Sequence, residues 1–419
     1  MRFVIAALLL VVAACDPQVA PDLPAPDPAF VHIGLLNPFS GREAARAIDF
    51  QNAARLAVWE INQAGGVNGK LLDVILRDSK TAEPEGPDTS VDAVNRLADD
   101  GVVAIVGPDT SALVLAIEPT VVARHVPLIS PTASASRIST LADDDLVWRT
   151  VASDTLQGAA LAARMRRDGV QTLAIVHRDD TYGQGLAATI TSELEAAGGQ
   201  VLARVAYDPQ QRTDFEPQVA KLLQGGRPDA IVVIGFALDS SGFMTALSEA
   251  HLEPLPGRYG VDGNHNQSFL DNAPPGMLIG MRFIAPSSPS DNPNLARFEE
   301  SYAARLGAPP FRTEFTYDAV YLIALALMQA GENSPTAVRD HLREVSRPDG
   351  PDALVIGVGP DELVRAAAHV GADLDFHGAS GAIDFDAAGD ITAATFAIRI
   401  VVDSPDGLRF EDVERINLP

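Results

Sequence analysis

Apolar positions along this chain come in blocks. VHIGLL (31–36), LLDVIL (71–76), VVAIVG (102–107) and PLIS (127–130) are short, nearly continuous apolar runs. Between them apolar residues return every three or four positions. In DFQNAARLAVWEINQA (49–64), Phe50, Ala53, Ala54, Ala57, Ile61 and Ala64 fall on one helical face, and Gly65-Gly66 ends it. The same spacing predicts helices near 88–99 and over 111–124. A second series repeats the plan: helix 154–168, strand 172–177, helix 183–197 closed by Gly198-Gly199, strand 200–207, a helix near 214–224 and strand 230–235. Strands apolar on both faces are expected where helices cover both sides of a parallel sheet. Two doubly wound α/β units are therefore predicted over 31–290. Helical pattern returns over 295–347, including 313–331, and 378–402 reads as paired strands around the turn Asp386-Ala-Ala-Gly389. Between them, 348–377 reads only as one helix, 360–369, among glycine and proline.

The first thirty residues follow another rule. MRFVIAALLLVVAA has one positive charge, Arg2, before an apolar run too short for a mature membrane span, as in the core of a signal peptide. Val12-Ala13-Ala14-Cys15 resembles the bacterial lipobox, in which the cysteine becomes the lipidated first residue. Cys15 is the only cysteine, so an internal disulfide and a cysteine metal cluster are excluded. DPQVAPDLPAPDPAF (16–30), with five prolines, reads as a stiff tether. The expectation is a signal peptide over 1–15, a tether over 16–30, and a body held on the periplasmic or cell-surface side of a membrane by lipid alone.

Composition narrows the function. A formal net charge of −25 argues against nucleic acid, since phosphate binding needs clustered Lys and Arg. The eight histidines form no HExxH or HxH pair, no GxGxxG follows a strand, and no GxxxxGK[ST] occurs. No metal or cofactor is expected. Gly378-Ala-Ser380-Gly381 lacks the spacing of a nucleophile elbow, and His177 reads as structural. Two loops stand out instead. Gly107-Pro-Asp-Thr-Ser111 opens the helix 111–124, and SPTASASRIS (130–139) follows the next strand with many hydroxyls and little bulk. Ser111, Thr132 and Ser134 are each explained as helix caps or turn formers. Two such loops on consecutive strands of one sheet also face one crevice, where free helix N–H groups suit a carboxylate.

Six segments taken in order resemble the branched-chain-amino-acid-binding family, the periplasmic type I substrate-binding proteins that feed ABC importers. They are GLLNPFSG (34–41), AVWEINQAGGVNGK (57–70), VVAIVGPDTS (102–111), VPLISPTAS (126–134), HRDDTYGQG (177–185) and GASGAIDFDAAGDI (378–391). The resemblance implies two doubly wound parallel-sheet lobes joined by three hinge crossovers, with 31–150 plus 285–390 as one lobe and 151–284 plus 391–419 as the other. It implies that Ser111 and Ser134 hold a ligand carboxylate, with Ala133 among the ligand-binding residues. The ligand ammonium would meet the Thr132 carbonyl and an acid in RYGVDGNHN (258–266), placed at Asp262. Tyr182, Phe236 and Tyr317 match pocket-lining positions. The chain departs from the family's best-known members in having Thr110 where some carry a cysteine, Asp where many carry Glu, and an unlike segment over 348–377.

The function so implied is capture of an amino acid or similar small zwitterion or amide by a monomeric lipoprotein that passes it to ABC permease subunits. The alternative is a lipoprotein of the same fold that senses, or regulates cell-envelope enzymes, through protein partners. Neither is an enzyme.

Overall fold

The structure is a computed structural model describing residues 27, 29–41, 44–81 and 85–419. The expected signal peptide, Cys15 and nearly all of the tether lie outside these residues. The first body contains β1 (Phe30–Asn37), α1 (Ala44–Gln63), β2 (Leu71–Asp78), α2 (Gly86–Asp99), β3 (Ala104–Val106), α3 (Ser111–Arg124), β4 (Leu128–Ser130) and β5 (Val147–Arg149). Its five strands are parallel in the order β2-β1-β3-β4-β5. Both faces are covered, which is why the strands are apolar throughout. Ile33 and Leu35 of β1 join the core under α1, while Leu36 joins the one under α2 and α3.

The chain crosses after Arg149 into a second body of the same construction: α4 (Asp154–Arg167), β6 (Thr172–Arg178), α5 (Thr181–Ala196), β7 (Gln200–Tyr207), α6 (Glu216–Leu222), β8 (Ala230–Ile234), α7 (Ala237–Glu249), β9 (Gly257–Gly260), α8 (Gln267–Asn272), α9 (Pro275–Leu278) and β10 (Arg282–Ser287). It returns after Ser287 to pack α10 (Pro293–Leu306), α11 (Glu314–Ala330) and α12 (Pro335–Ser346) on the first body. A small sheet follows, from β11 (Leu354–Ile356), α13 (Pro360–Ala367), β12 (Leu374–Gly378) and β13 (Gly381–Ala382). A third crossing leads to β14 (Ala394–Ser404) and β15 (Gly407–Leu418). The second sheet runs β15-β14-β10-β9-β8-β6-β7, with β14 and β15 antiparallel to their neighbours.

Two expectations need correction. The turn at 386–389 does not join a strand pair: it carries one isolated bridge, Phe385 to Ile391. There the Asp386 carboxylate ties down the amides of Ala388 and Asp390. The strand after it pairs instead with β10 and β15. The 348–377 segment holds more than one helix, since β11 and β12 pair in parallel around α13. At the crossings, Arg149 grips both oxygens of Asp390, and the Ser139 hydroxyl donates to the same carboxylate at 2.6 Å. Thr150 donates to the Phe315 carbonyl at 2.9 Å. No helix of the described residues is long and apolar enough to cross a membrane.

Candidate ligand-binding site

In open α/β sheets the carboxyl ends of the strands and the following helix N-termini form the crevice. In the first lobe this edge begins at Gly107. It takes a φ of 107°, and a Cβ there would lie 2.1 Å from the Leu36 carbonyl oxygen, so no larger residue fits. The chain then reaches Ser111 at the start of α3, where the first amides have no intrahelical acceptor.

The hydroxyl-rich loop is laced to this turn. Ser130 Oγ donates to the Pro108 carbonyl at 2.7 Å and accepts from Ala133 N at 3.1 Å. Thr132 Oγ1 donates to the Asp109 carbonyl at 2.8 Å. Ser111 Oγ accepts from Ala135 N at 3.0 Å, a bond that leaves its own O–H to donate. The hydroxyls of Ser130 and Thr132 therefore build the loop, and the Ser111 O–H is left as a candidate donor to a ligand.

Across the cleft, Asp262 follows β9 in a short turn. Its Oδ1 accepts from Tyr182 OH at 2.7 Å and from Gln157 Nε2 at 3.0 Å, and its Oδ2 accepts from Arg312 Nη1 at 3.1 Å. Gly263 leaves room for this: a Cβ would lie 2.6 Å from the Gly235 carbonyl oxygen and 2.9 Å from the Tyr182 hydroxyl. The Tyr182 ring stacks on Phe236 at 5.8 Å, and the Arg178 guanidinium lies 4.2 Å from the Phe236 ring centre. Arg178 is itself held by Asp180 and Asp239.

Asp154, at the start of α4, links the two sides. Its amide donates to the Ser134 carbonyl at 2.7 Å, and its Oδ1 accepts from Gln157 Nε2 at 3.1 Å. Its Oδ2 is buried with no hydrogen-bond partner among the described residues. Burial pushes this carboxyl well above the usual carboxylate range, and the charge of Asp262 pushes it further, against the pull of Ser134, Arg149 and Gln157. Burial, with Asp262 and Asp154 adding, likewise raises the Tyr182 phenol.

The structure thus gathers Ser111, Thr132, Ala133, Ser134, Tyr182, Phe236 and Asp262 around the cleft, but not Tyr317. Tyr317 lies inside α11 against Phe298, and its hydroxyl donates to Glu60. α11 is buried along nearly its whole length, its polar residues Thr316 and Asp318 included, and this places that ring in the core. Asp154, Gln157 and Arg312 are additions to the expected set. Ser153-Asp154 reads in sequence as an ordinary helix start, and nothing local connects it with Asp262.

The lobes are shut over the polar cluster, with Ser111 3% and Asp262 7% exposed. Beside it a cleft of about 520 Å³, partly open to solvent, is lined by Thr81, Asp109 and Thr110 from one lobe and Arg178, Arg212 and Phe236 from the other. Phe236 is the one expected residue on its wall. The His177 ring is buried with Nδ1 2.8 Å from the Arg178 carbonyl, and burial lowers its pKa. Among the described residues no group of His, Cys, Asp or Glu could hold a metal ion.

Two α/β lobes, crossed three times and closing over a buried polar seat, define a solute-binding protein of the type I architecture. The chain belongs to the periplasmic binding protein family, which it matches over residues 31–378. Members of this family are periplasmic or extracytoplasmic binding proteins. It is 30% identical over 369 residues to the chemotactic signal transduction system substrate-binding protein BasB of Halobacterium salinarum, covering 85% of this chain and 84% of that one. It is 27% identical over 319 residues to the leucine-, isoleucine-, valine-, threonine- and alanine-binding protein of Pseudomonas aeruginosa, covering 75% and 82%. The crystal structure of the leucine-binding protein LivK of Thermotoga maritima superposes with a TM-score of 0.75 at 22% identity, covering 92% and 98%.

Proposed function

We propose that this protein is a lipid-anchored receptor outside the cytoplasm that captures an amino acid, or a similar small zwitterion, between its lobes and delivers it to an ABC importer. The observation that carries this reading is the pairing at one lobe interface of a carboxylate seat with buried acid. Ser111 and the α3 N-terminus supply the seat, and Asp154 and Asp262 lie opposite it. Ser111 and Ser134, with Ala133 beside them, take the ligand carboxylate, the Thr132 carbonyl takes the ammonium, and Tyr182 closes the lid. The ligand's side chain runs toward Phe236 and the partly open cleft. Burying either ligand charge without a partner would be costly, so this site selects zwitterions over neutral solutes. The names of the Pseudomonas and Thermotoga proteins support an amino acid as the cargo.

A second reading, that the loaded receptor signals instead of importing, is favoured by the likeness to a chemotactic substrate-binding protein. A thermal-shift screen with the amino acids, small amides and short peptides tests the first claim. A ligand at a hundred times its Kd adds ~2.7 kcal/mol of stability, which raises Tm measurably. No shift with any α-amino acid would refute amino-acid capture.

A further inference from the structure

The cleft beside the polar seat receives the ligand's side chain on the proposed reading, and its walls are not those of an aliphatic pocket. Among the described residues that line it, only Phe236 and Leu238 are apolar. Guanidinium and carboxylate groups make up much of the rest. On the second lobe these groups serve one another or the backbone. Arg178 pairs with Asp180 and Asp239 and lies over the Phe236 ring. Arg212 donates from Nη1 to the Pro209 and Gln211 carbonyls, each at 2.7 Å.

The first lobe is different. Asp109 stands two residues before Ser111, and its side chain is wholly buried. Thr81 Oγ1 donates to its Oδ1, while its Oδ2 has no hydrogen-bond partner among the described residues. The Arg46 guanidinium is 3.7 Å from Oδ2, too far to bond it, and lies over the Phe50 ring at 5.3 Å. A buried acceptor without a donor is costly, and an aliphatic side chain laid against it would leave it so. A charged side chain fares no better. An anion would meet Asp109 and Asp239, and a cation would meet Arg46, Arg178 and Arg212. A carboxamide avoids both, since it is uncharged, its N–H can donate to Asp109 Oδ2, and its carbonyl can accept from the guanidinium alongside.

We infer that Asp109 determines specificity by accepting a hydrogen bond from the ligand's side chain, and that the cargo is an amino acid ending in a carboxamide or similar neutral amide, not an aliphatic one. This inference rests on the amino-acid reading above. The Thr132 hydroxyl, bonded to the Asp109 carbonyl, ties this reader of the side chain to the loop that seats the ligand's other end.

The test is titration calorimetry on the full chain with two sets of near-isosteres: L-asparagine, L-leucine and L-aspartate, and, one methylene longer, L-glutamine, L-homoleucine and L-glutamate. In the tighter-binding set the amide should exceed both its companions by roughly tenfold or more. Asp109→Asn keeps the side chain's shape and the bond from Thr81 but puts an N–H where Oδ2 stood. The carboxylate member should then bind better than the amide, a reversal that a merely structural residue would not produce. Asp109→Ala serves if the Asn variant does not fold, and in it the amide's lead over the aliphatic member should fall below about threefold. The melting temperature of each variant reports folding. An unsubstituted protein that prefers the aliphatic or the carboxylate member, or an amide preference unchanged in either variant, overturns the assignment. A protein that binds no α-amino acid overturns the amino-acid reading as well, so the two failures are told apart before any variant is made.

Discussion

Two buried acids in this molecule live under opposite terms. Glu60, in α1 within the core of the first lobe, is fully provided for: Tyr317 and Tyr321 donate to one of its oxygens and Ser301 to the other. Asp154, at the cleft, is as buried but has one oxygen with no donor and a like charge beside it. A satisfied buried carboxylate belongs to the architecture. One left short of donors between two lobes is a candidate contact for a ligand.

Glu60→Ala presses hardest on the comparison. It strands two tyrosine hydroxyls in the core, and a loss of about 3 kcal/mol is expected by urea unfolding, with ligand affinity unchanged once the variant is folded. A loss of affinity without a loss of stability would reverse the roles. Ser111→Ala should do the opposite, weakening binding by about 1–3 kcal/mol while the melting temperature of the empty protein stays nearly constant. Calorimetry showing unchanged affinity would remove Ser111 from the seat. The two tyrosines sharpen the contrast further. Tyr317→Phe should lower stability by about 1 kcal/mol and leave binding alone, whereas Tyr182→Phe should register mainly in affinity.

The smallest effect concerns pH. Burial pushes Asp318 up to about 7, against the bonds from Ser380 and Ala379, and pushes Glu314 up to about 7, with Asp318 adding and Arg312 and Arg399 opposing. Groups with folded pKa values above their unfolded ones bind protons on folding, so their contribution is present at low pH and lost as pH rises through about 7. The melting temperature should therefore rise modestly between pH 8 and roughly pH 5.5, and Asp318→Asn should flatten that rise. A melting temperature that falls over the same interval would contradict both shifts.

The same contrast shows what the sequence could tell. Periodicity located α3 at Ser111 and β7 over its full length, because each element buries a regular face. It could not tell Tyr317 from a pocket residue, since polar Thr316 and Asp318 are buried beside it and a helix buried on all sides carries no orientation. Nor could it see β5, whose Val147-Trp148-Arg149 ends in a charge and makes no apolar run, or that β14 would turn back at Pro405-Asp406-Gly407 into β15. Partners for a strand edge are chosen in three dimensions. Asp154 and Arg312 escaped for the same reason. One looked like a helix cap and the other like a loop residue, and their meaning lies in Asp262, far along the chain.

The base of the hinge has a mechanical consequence. Three struts joining two rigid blocks resist twist and shear together, and leave bending as the soft mode. The Arg149–Asp390 clamp fastens the root of the first strut to that of the third, so these two bend as one. Relative motion of the blocks is then reduced to a single angle. On the proposed reading, a membrane partner would need to sense only that angle, whatever solute has set it.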